Sequence, residues 1–179
     1  MASIFSKIAR VVRHRWRDER DIRKAVPAEL VAQLQRRVAQ SERRHTGQIR
    51  MCIEAGLPTS YLWRGATPRE RALTLFGKLR VWDTEENNGV LIYLLLADHA
   101  IEIVADRGLN RHVGPGQWQH LVAHMGDAFG AGRYEDGLVQ ALDQVGALLV
   151  SHFPVGDGDA PHPNELPDAP VLLGDGLAR

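Results

Sequence analysis

The chain has 179 residues, of which 44% are hydrophobic and 25% are charged, enough for one globular domain with a buried core. Its 22 basic and 22 acidic residues balance to a net charge of zero, so no overall positive field favours a nucleic-acid partner, and none is expected. A single cysteine, Cys52, excludes an internal disulfide and a cysteine-based metal site.

Residues 1–26 predict a basic amphipathic helix, because Ile4, Ile8, Val11 and Val12 recur at helical spacing among arginines. Two interpretations are open. The helix packs against its own domain or a partner subunit, which is the interpretation that we favour, or it makes a peripheral contact with an anionic membrane surface. An RNA-binding arm is disfavoured, because no aromatic stacking pattern accompanies the arginines.

The sequence also bears on cellular location. No apolar run approaches the roughly 18 residues that a transmembrane helix needs. The first residues lack the apolar centre and the cleavage site of a secretory signal. We therefore expect a cytoplasmic protein, placed at the inner face of the membrane if the N-terminal helix contacts lipid.

Residues 27–154 predict an α/β domain. Pro27 suits the first turn of a helix whose apolar stripe continues toward Glu42. Gln48–Ala55 alternates apolar and polar residues, which predicts a first strand. The sequence Thr67-Pro-Arg-Glu70 is a capping box that predicts the start of another helix.

The segment from Asn88 to Gly108 predicts two buried strands joined by a tight turn at Asp98-His99. Two further helices follow, over Gln117–Gly130 and Tyr134–Phe153. The first two strands are connected through a helix and should be parallel, whereas the second and third form an antiparallel hairpin. The predicted fold class is therefore α/β, a three-layer α/β/α sandwich with a small mixed sheet.

The C-terminal segment, residues 155–179, is rich in Pro, Gly and Asp. Such a composition buries little apolar surface, so we predict a disordered acidic tail.

Polar residues are predicted to gather at one edge of the sheet. With the turn centred at Asp98-His99, Asp106 lies opposite Leu91, and a parallel first strand begins at the same edge. The side chains that converge there in this arrangement are Glu42, His45, Asp83, Thr84, Glu85, Asn87, Asn88 and Asp106. Carboxylate, amide and hydroxyl oxygens are hard ligands that suit Ca²⁺ or Mg²⁺.

Turn formation alone is the alternative explanation for the same residues. Asp106-Arg-Gly108 is compatible with an ordinary turn in which Gly108 supplies a positive φ, and Asn88-Gly89 has similar turn chemistry. His120 and His124 are four residues apart but lack the intervening glutamate of a zinc-protease motif. No nucleophile elbow or phosphate-binding loop occurs, so the sequence leaves catalytic activity open.

The ordered motifs of the chain resemble the TPM-domain family, which includes a thylakoid lumen protein of photosystem II repair and bacterial proteins. The motifs are Glu42-x-x-His45-Thr-Gly47-Gln-Ile49, Ala72-Leu-Thr-Leu-Phe76, Thr84-x-x-x-Asn88-Gly89-Val-Leu-Ile92, Ile103-Val-x-Asp106-x-Gly108, Trp118 and Leu148-x-x-x-His152-Phe-Pro154. The resemblance implies an α/β/α sandwich. It also implies a divalent cation, held by Asp106, Asn88 and Glu42.

Function is implied less directly. Some members of the family hydrolyse phosphate monoesters, and bacterial relatives resemble proteins found alongside LemA-type membrane proteins. The favoured interpretation is a non-catalytic binding or assembly module that binds Ca²⁺ or Mg²⁺ and acts with a membrane-associated partner. The alternative is a metal-assisted phosphatase, against which the sequence offers no evident nucleophile–base pair and no phosphate cradle.

Overall fold

A computed structural model describes residues 4–17, 19–156 and 163–174. These residues form eight α-helices, one short 3₁₀ helix and four strands. In chain order they are α1 (Ile4–Arg15), α2 (Glu19–Ala25), α3 (Ala28–Glu42), β1 (Ile49–Glu54), α4 (Thr59–Trp63), α5 (Pro68–Lys78), β2 (Val90–Leu95), the 3₁₀ helix (Leu96–Asp98), β3 (Ala100–Ala105), α6 (Arg107–Asn110), α7 (Pro115–Gly130), α8 (Tyr134–His152) and β4 (Val171–Leu173).

The strands form one mixed sheet in the order β3-β2-β1-β4. β1 is parallel to β2, with Ile49 paired to Val90, and β2 is antiparallel to β3, with Val90 paired to Ala105. The predicted parallel crossover and hairpin are therefore confirmed. Because β2 lies between two strands and all six of its residues are buried, it is the centre of the domain.

The predicted register of the hairpin is wrong by two residues. The 3₁₀ helix and His99, which adopts a left-handed conformation (φ 49°, ψ 37°), make the connection longer than the predicted two-residue turn. Asp106 consequently lies opposite Gly89, to which its N–H donates a hydrogen bond of 2.9 Å, and not opposite Leu91. A shift of two residues preserves the face to which each side chain points, so the core pattern is unaffected.

Alternate residues of β2 face two different helical layers. Val90, Ile92 and Leu94 belong to a core shared with α3, α7 and α8. Leu91, Tyr93 and Leu95 belong to a second core, shared with α4 and α5. The three-layer sandwich predicted from the sequence is thus confirmed.

Helix α5 begins as its sequence predicts and is fastened to the sheet by a buried ion pair. The Thr67 side chain accepts from the Glu70 N–H, and the Glu70 carboxylate accepts from the Thr67 N–H. One turn further, Arg71 is 1% exposed and donates two short bonds to Glu54, which also accepts from the Tyr93 hydroxyl at 2.6 Å. These partners satisfy the buried charges and hold α5 against β1 and β2.

The N-terminal segment forms two helices and not the single helix predicted for residues 1–26. Ile22 of α2, and Val26 just after it, are 1% exposed and belong to the main core, so α2 is part of the domain. Helix α1 packs against α4 and contributes Val11 to the second core. This is the packing on its own domain that we favoured from the sequence.

The C-terminal segment corrects the prediction of a wholly disordered tail. Residues 171–173 form β4, which pairs in parallel with β1. Before it, Leu166 is 5% exposed, and the Gln48 amide oxygen accepts from the N–H groups of Glu165 and Leu166 at 3.0 and 3.1 Å. The amino-acid composition of the tail did not predict this order, because the groups that hold the segment belong to β1 and to Gln48, the residue directly before β1. Residues 157–162 and 175–179 lie outside the described residues.

Candidate cation site at the start of the parallel strands

Three segments meet where β1 and β2 begin and β3 ends. The Val90 N–H donates to the Gln48 carbonyl at 2.8 Å, and the Gly108 N–H donates to the Asn87 carbonyl at 2.9 Å. The parallel pairing of β1 with β2 and the hairpin therefore bring residues 45–48, 84–89 and 106–108 to one edge of the sheet, as predicted.

Two glycines allow these segments to approach one another. A Cβ atom on Gly89 would lie 1.9 Å from the Val81 carbonyl oxygen, and a Cβ on Gly108 would lie 2.4 Å from the Asn87 carbonyl oxygen. Gly108 is thus required for close approach and does not supply the positive φ that turn formation predicted. The left-handed residue of this edge is Asn87, with φ 53°.

The Asn88 side chain is held by a polar cluster. Asn88 is 1% exposed, and its Nδ2 donates to Thr46 Oγ1 at 3.0 Å and to Glu86 Oε2 at 3.3 Å. The Thr46 hydroxyl also donates to Glu86 Oε2, at 2.7 Å. Because an ionised carboxylate only accepts, the amide nitrogen must face Glu86, and this turns Oδ1 of Asn88 in the other direction.

Two buried oxygens at this edge have no hydrogen-bond partner among the described residues, Oδ1 of Asn88 and Oδ2 of Asp106. The other carboxylate oxygen of Asp106 caps α6 by accepting from the Arg107 N–H at 2.7 Å. A buried acceptor without a partner is costly, so each such oxygen favours the arrival of a donor or a cation.

Glu42, the third predicted ligand, is placed differently. Its Oε1 accepts from the Ile49 N–H at 2.8 Å, at the first residue of β1. Burial raises the pKa of Glu42 to about 8; the Ile49 N–H opposes this effect and the nearby Asp168 carboxylate adds to it. The structure therefore places Asp106 opposite Gly89, the residue after Asn88, and uses Glu42 to hold the start of β1.

The remaining predicted residues have structural roles. His45 is fully buried between the Ser41 hydroxyl and the Gly47 carbonyl, both at 2.9 Å. Thr84 Oγ1 accepts from the Asn88 N–H at 3.1 Å, and the Asn87 side chain accepts from Arg107 Nε at 3.0 Å.

The flanking acids lie outside the cluster. The Glu85 N–H donates to the Glu165 carboxylate at 2.9 Å, and the Asp83 carboxylate is 54% exposed beside Arg80. Glu86 was missed by sequence reasoning, although its position two residues before Asn88 was a usable signal.

Groups of three or more His, Cys, Asp or Glu side chains arranged to hold a metal do not occur in the described part of the chain. The side chain of His124 lies outside the described residues, so its position relative to His120 is not described. A cation at the Asn88–Asp106 edge would accordingly be bound by an amide oxygen, a carboxylate and other oxygens.

Comparison with known proteins gives concordant results. A family profile of the TPM domain matches residues 21–148. The NMR structure of the BA42 protein from the psychrophilic bacterium Bizionia argentinensis is 26% identical, with a TM-score of 0.68, and the match covers 82% of this chain and 94% of that one. The N-terminal domain of a P. gingivalis protein shares the fold at 20% identity and a TM-score of 0.51, covering 68% of this chain and 76% of that one. No curated protein matches significantly.

The helices were also compared with the requirements of a membrane span. Within residues 4–17, 19–156 and 163–174, none of them combines the length and the apolar character needed to cross a bilayer.

Proposed function

The chain belongs to the TPM domain family, and on that premise we propose that it is a non-catalytic binding and assembly module with a Ca²⁺ or Mg²⁺ site at the Asn88–Asp106 edge. The observation that carries the proposal is the pair of buried oxygens, Oδ1 of Asn88 and Oδ2 of Asp106, that have no partner in the described part of the chain. Both are hard ligands of the kind that these cations prefer.

The groups around the two oxygens support this assignment. Glu86 and Thr46 hold the Asn88 amide nitrogen, so the amide oxygen is oriented before any ligand arrives. With few protein ligands and the rest supplied by water, the expected Ca²⁺ affinity is weak, with a dissociation constant of about 10⁻⁴ to 10⁻³ M.

The assembly part of the proposal concerns a membrane-associated partner, as the family resemblance implied. It is tested by capturing the intact protein from membranes of its host in the presence of Ca²⁺ or of a chelator. Recovery of a partner that depends on Ca²⁺ and is lost in the Asp106→Asn variant supports a cation-dependent assembly role. Recovery that is unaffected by the chelator and by the substitution contradicts that role.

Cation binding is tested by calorimetric titration of the whole chain with CaCl₂ and MgCl₂. Asp106→Asn removes the charge but keeps a side chain that caps helices well, so the variant should remain folded and bind Ca²⁺ at least about tenfold more weakly. Asp83→Asn, which changes an exposed acid near the same loop, is the matched control and should leave the isotherm unchanged. An unchanged isotherm for Asp106→Asn would contradict the cation site at the Asn88–Asp106 edge.

The alternative function, a metal-assisted phosphatase, is favoured by one observation. The Thr46 hydroxyl donates to the Glu86 carboxylate at 2.7 Å, which is the arrangement of a hydroxyl nucleophile with a base. In that reaction the cation would polarise the phosphoryl oxygen and activate a water molecule or the hydroxyl. We expect no turnover of p-nitrophenyl phosphate. Turnover that disappears in both Asp106→Asn and Thr46→Val would establish the enzyme instead, and turnover that survives in both would indicate a contaminant.

A further inference from the structure

We propose that α1 and α4 form a docking surface for an anionic lipid bilayer. The surface is called here the α1–α4 face and consists of Ile8, Val12, Trp16 and Trp63 with the exposed arginines of α1. It uses none of the residues of the Asn88–Asp106 edge, and it adds a second binding property to the one proposed above.

Exposed apolar residues are concentrated on this face. Seven large hydrophobic side chains in the described part of the chain are exposed, and four of them belong to α1 and α4 or directly follow α1. Trp16 and Trp63 are the most exposed of all, at 82% and 77%. Soluble monomers rarely expose several large apolar side chains on two helices that pack together unless the surface binds something. Tryptophan is also the side chain that is enriched where membrane meets water.

The outward direction of the stripe is set by the packing of α1. His14 is 3% exposed, and its Nδ1 accepts from the Leu57 N–H at 3.0 Å while its Nε2 lies 3.0 Å from Asp98. These two contacts of the His14 ring orient the His14 side of α1 toward the domain. Ile8, Val12 and Trp16 follow one another at intervals of four residues and therefore share the opposite, exposed side.

The charge of α1 identifies the occupant. Its twelve residues include Lys7, Arg10, Arg13 and Arg15 and no acidic residue. Asp98 can balance only one of these positive charges, and both Arg13 and Arg15 are exposed. An apolar stripe bordered by cations is the pattern of helices that lie in an anionic membrane interface. A second copy of the chain fits poorly, because a two-fold contact would bring two cationic helices together.

The proposal is tested by sedimentation of the intact protein with vesicles of phosphatidylcholine, with and without phosphatidylglycerol. We expect binding to the anionic vesicles alone, weakening as NaCl is added. The double variant Val12→Ser, Trp16→Ser should bind about tenfold more weakly, because it removes the apolar part of the contact. Trp82→Ser, which changes a half-exposed tryptophan outside the face, is the control and should bind like the wild type.

A second pair of variants tests the role of charge. Arg15→Glu should weaken binding by at least about fivefold, since each basic residue near an anionic surface contributes about 1 kcal/mol. Arg36→Glu places the same change on the exposed side of α3, in the other helical layer, and should have little effect.

Three results would overturn the proposal. They are no sedimentation of the intact protein, equal binding to neutral vesicles, and self-association in solution that Trp16→Ser abolishes, which would make a second copy the occupant. Asp106→Asn should sediment like the wild type, so failure of this proposal and failure of the cation site are distinguishable.

Discussion

The two ends of the β2–β3 hairpin each carry an aspartate, and the two are used in opposite ways. At the turn, Asp98 lies within 2.6 to 3.1 Å of Arg10, Arg13 and His14. At the open end, one oxygen of Asp106 accepts from the backbone and the other has no partner among the described residues. The number of hydrogen-bond and ion-pair partners, and not the residue type, thus distinguishes Asp98, whose contacts are structural, from Asp106, which keeps an unpartnered oxygen among the described residues.

The contacts of Asp98 also lower the pKa of its carboxyl. Burial opposes its ionisation, but the hydrogen bond from His14 and the charge of Arg10 outweigh burial and hold the pKa of this carboxyl well below its usual range. A carboxyl with a lowered pKa stabilises the fold fully above its unfolded-state pKa and loses that contribution as the pH falls. Asp98 therefore holds α1 to the hairpin at neutral pH, and its contribution is lost only as the pH falls through this lowered pKa.

The largest effect is expected at the turn. Asp98→Ala removes an acceptor from the buried His14 nitrogen and from Arg13, while Arg10 keeps its bond to the Ala66 carbonyl, so the free energy of unfolding should fall by about 3 kcal/mol. Asp98→Asn keeps an oxygen for His14 and loses only the charge, so it should cost about 1 kcal/mol. Urea denaturation at pH 7 measures both.

The matched control for the turn is Asp83→Ala, since the Asp83 carboxylate is 54% exposed and lies 3.9 Å from Arg80. It should change stability by less than about 0.5 kcal/mol. Equal losses for Asp98→Ala and Asp83→Ala would contradict the structural role assigned to Asp98.

A smaller effect is expected at the open end, from Gly108→Ala. The added Cβ would lie 2.4 and 2.7 Å from the carbonyl oxygens of Asn87 and Glu86, so the loop must move. We expect a loss of about 2 kcal/mol in stability and weaker Ca²⁺ binding, because Glu86 orients the Asn88 amide.

Gly77→Ala is the control for this change, because a Cβ at Gly77 meets nothing within 4 Å and the residue lies in α5. It should leave stability unchanged or raise it by up to about 1 kcal/mol. Thermal unfolding followed by circular dichroism, together with calorimetric Ca²⁺ titration, separates the two variants. Retention of full Ca²⁺ affinity in Gly108→Ala would show that the 86–88 loop does not shape the site.

The smallest effect is expected from Glu42→Gln, and it depends on pH. The pKa of Glu42 is raised to about 8 in the folded protein, so the folded state holds more protons than the unfolded state between pH 4.5 and 8. Wild-type stability should therefore fall as the pH rises through this window. The substituted amide keeps an acceptor for the Ile49 N–H without the charge, so the variant should be about 1 kcal/mol more stable than the wild type at pH 8.

Urea denaturation at pH 5 and pH 8 measures this difference, with Glu29→Gln on the exposed side of the same helix as control. Parallel pH profiles for wild type and Glu42→Gln would contradict the raised pKa. The same variant also tests whether Glu42 belongs to the cation site at the open end of the hairpin. A loss of Ca²⁺ affinity equal to that of Asp106→Asn would place Glu42 in the cation site after all.

Much of the fold could be predicted because its signals are local. The capping box of α5, the alternation of β1 and the two apolar strands of the hairpin each identify an element from neighbouring residues. Strand β4 could not be predicted in this way, since three apolar residues in a Pro- and Gly-rich segment carry no period. Its order depends on pairing with β1 and on the side chains of Gln48 and Arg50.

The candidate site was predicted in part. The parallel connection and the hairpin were enough to bring Asn88 and Asp106 to one edge, even though the predicted register was two residues out. Glu42 was expected in the same group from the predicted topology and from the family resemblance, whereas its bond to the Ile49 N–H depends on where α3 meets β1.

The sequence by itself determined the family, the order of the main helices and of the first three strands, the three layers and the edge at which polar residues collect, because periodicity, caps and connection lengths act over short stretches of chain. Only the tertiary structure decided which acidic side chains find hydrogen-bond partners. Asp98 is surrounded by donors because α1, more than eighty residues away along the chain, packs beside it, whereas no donor of the described residues bonds to Oδ2 of Asp106. Hydrogen bonding depends on all the groups that folding brings together, so it is the folded packing that separates an aspartate with several partners from one with an unpartnered oxygen among the described residues.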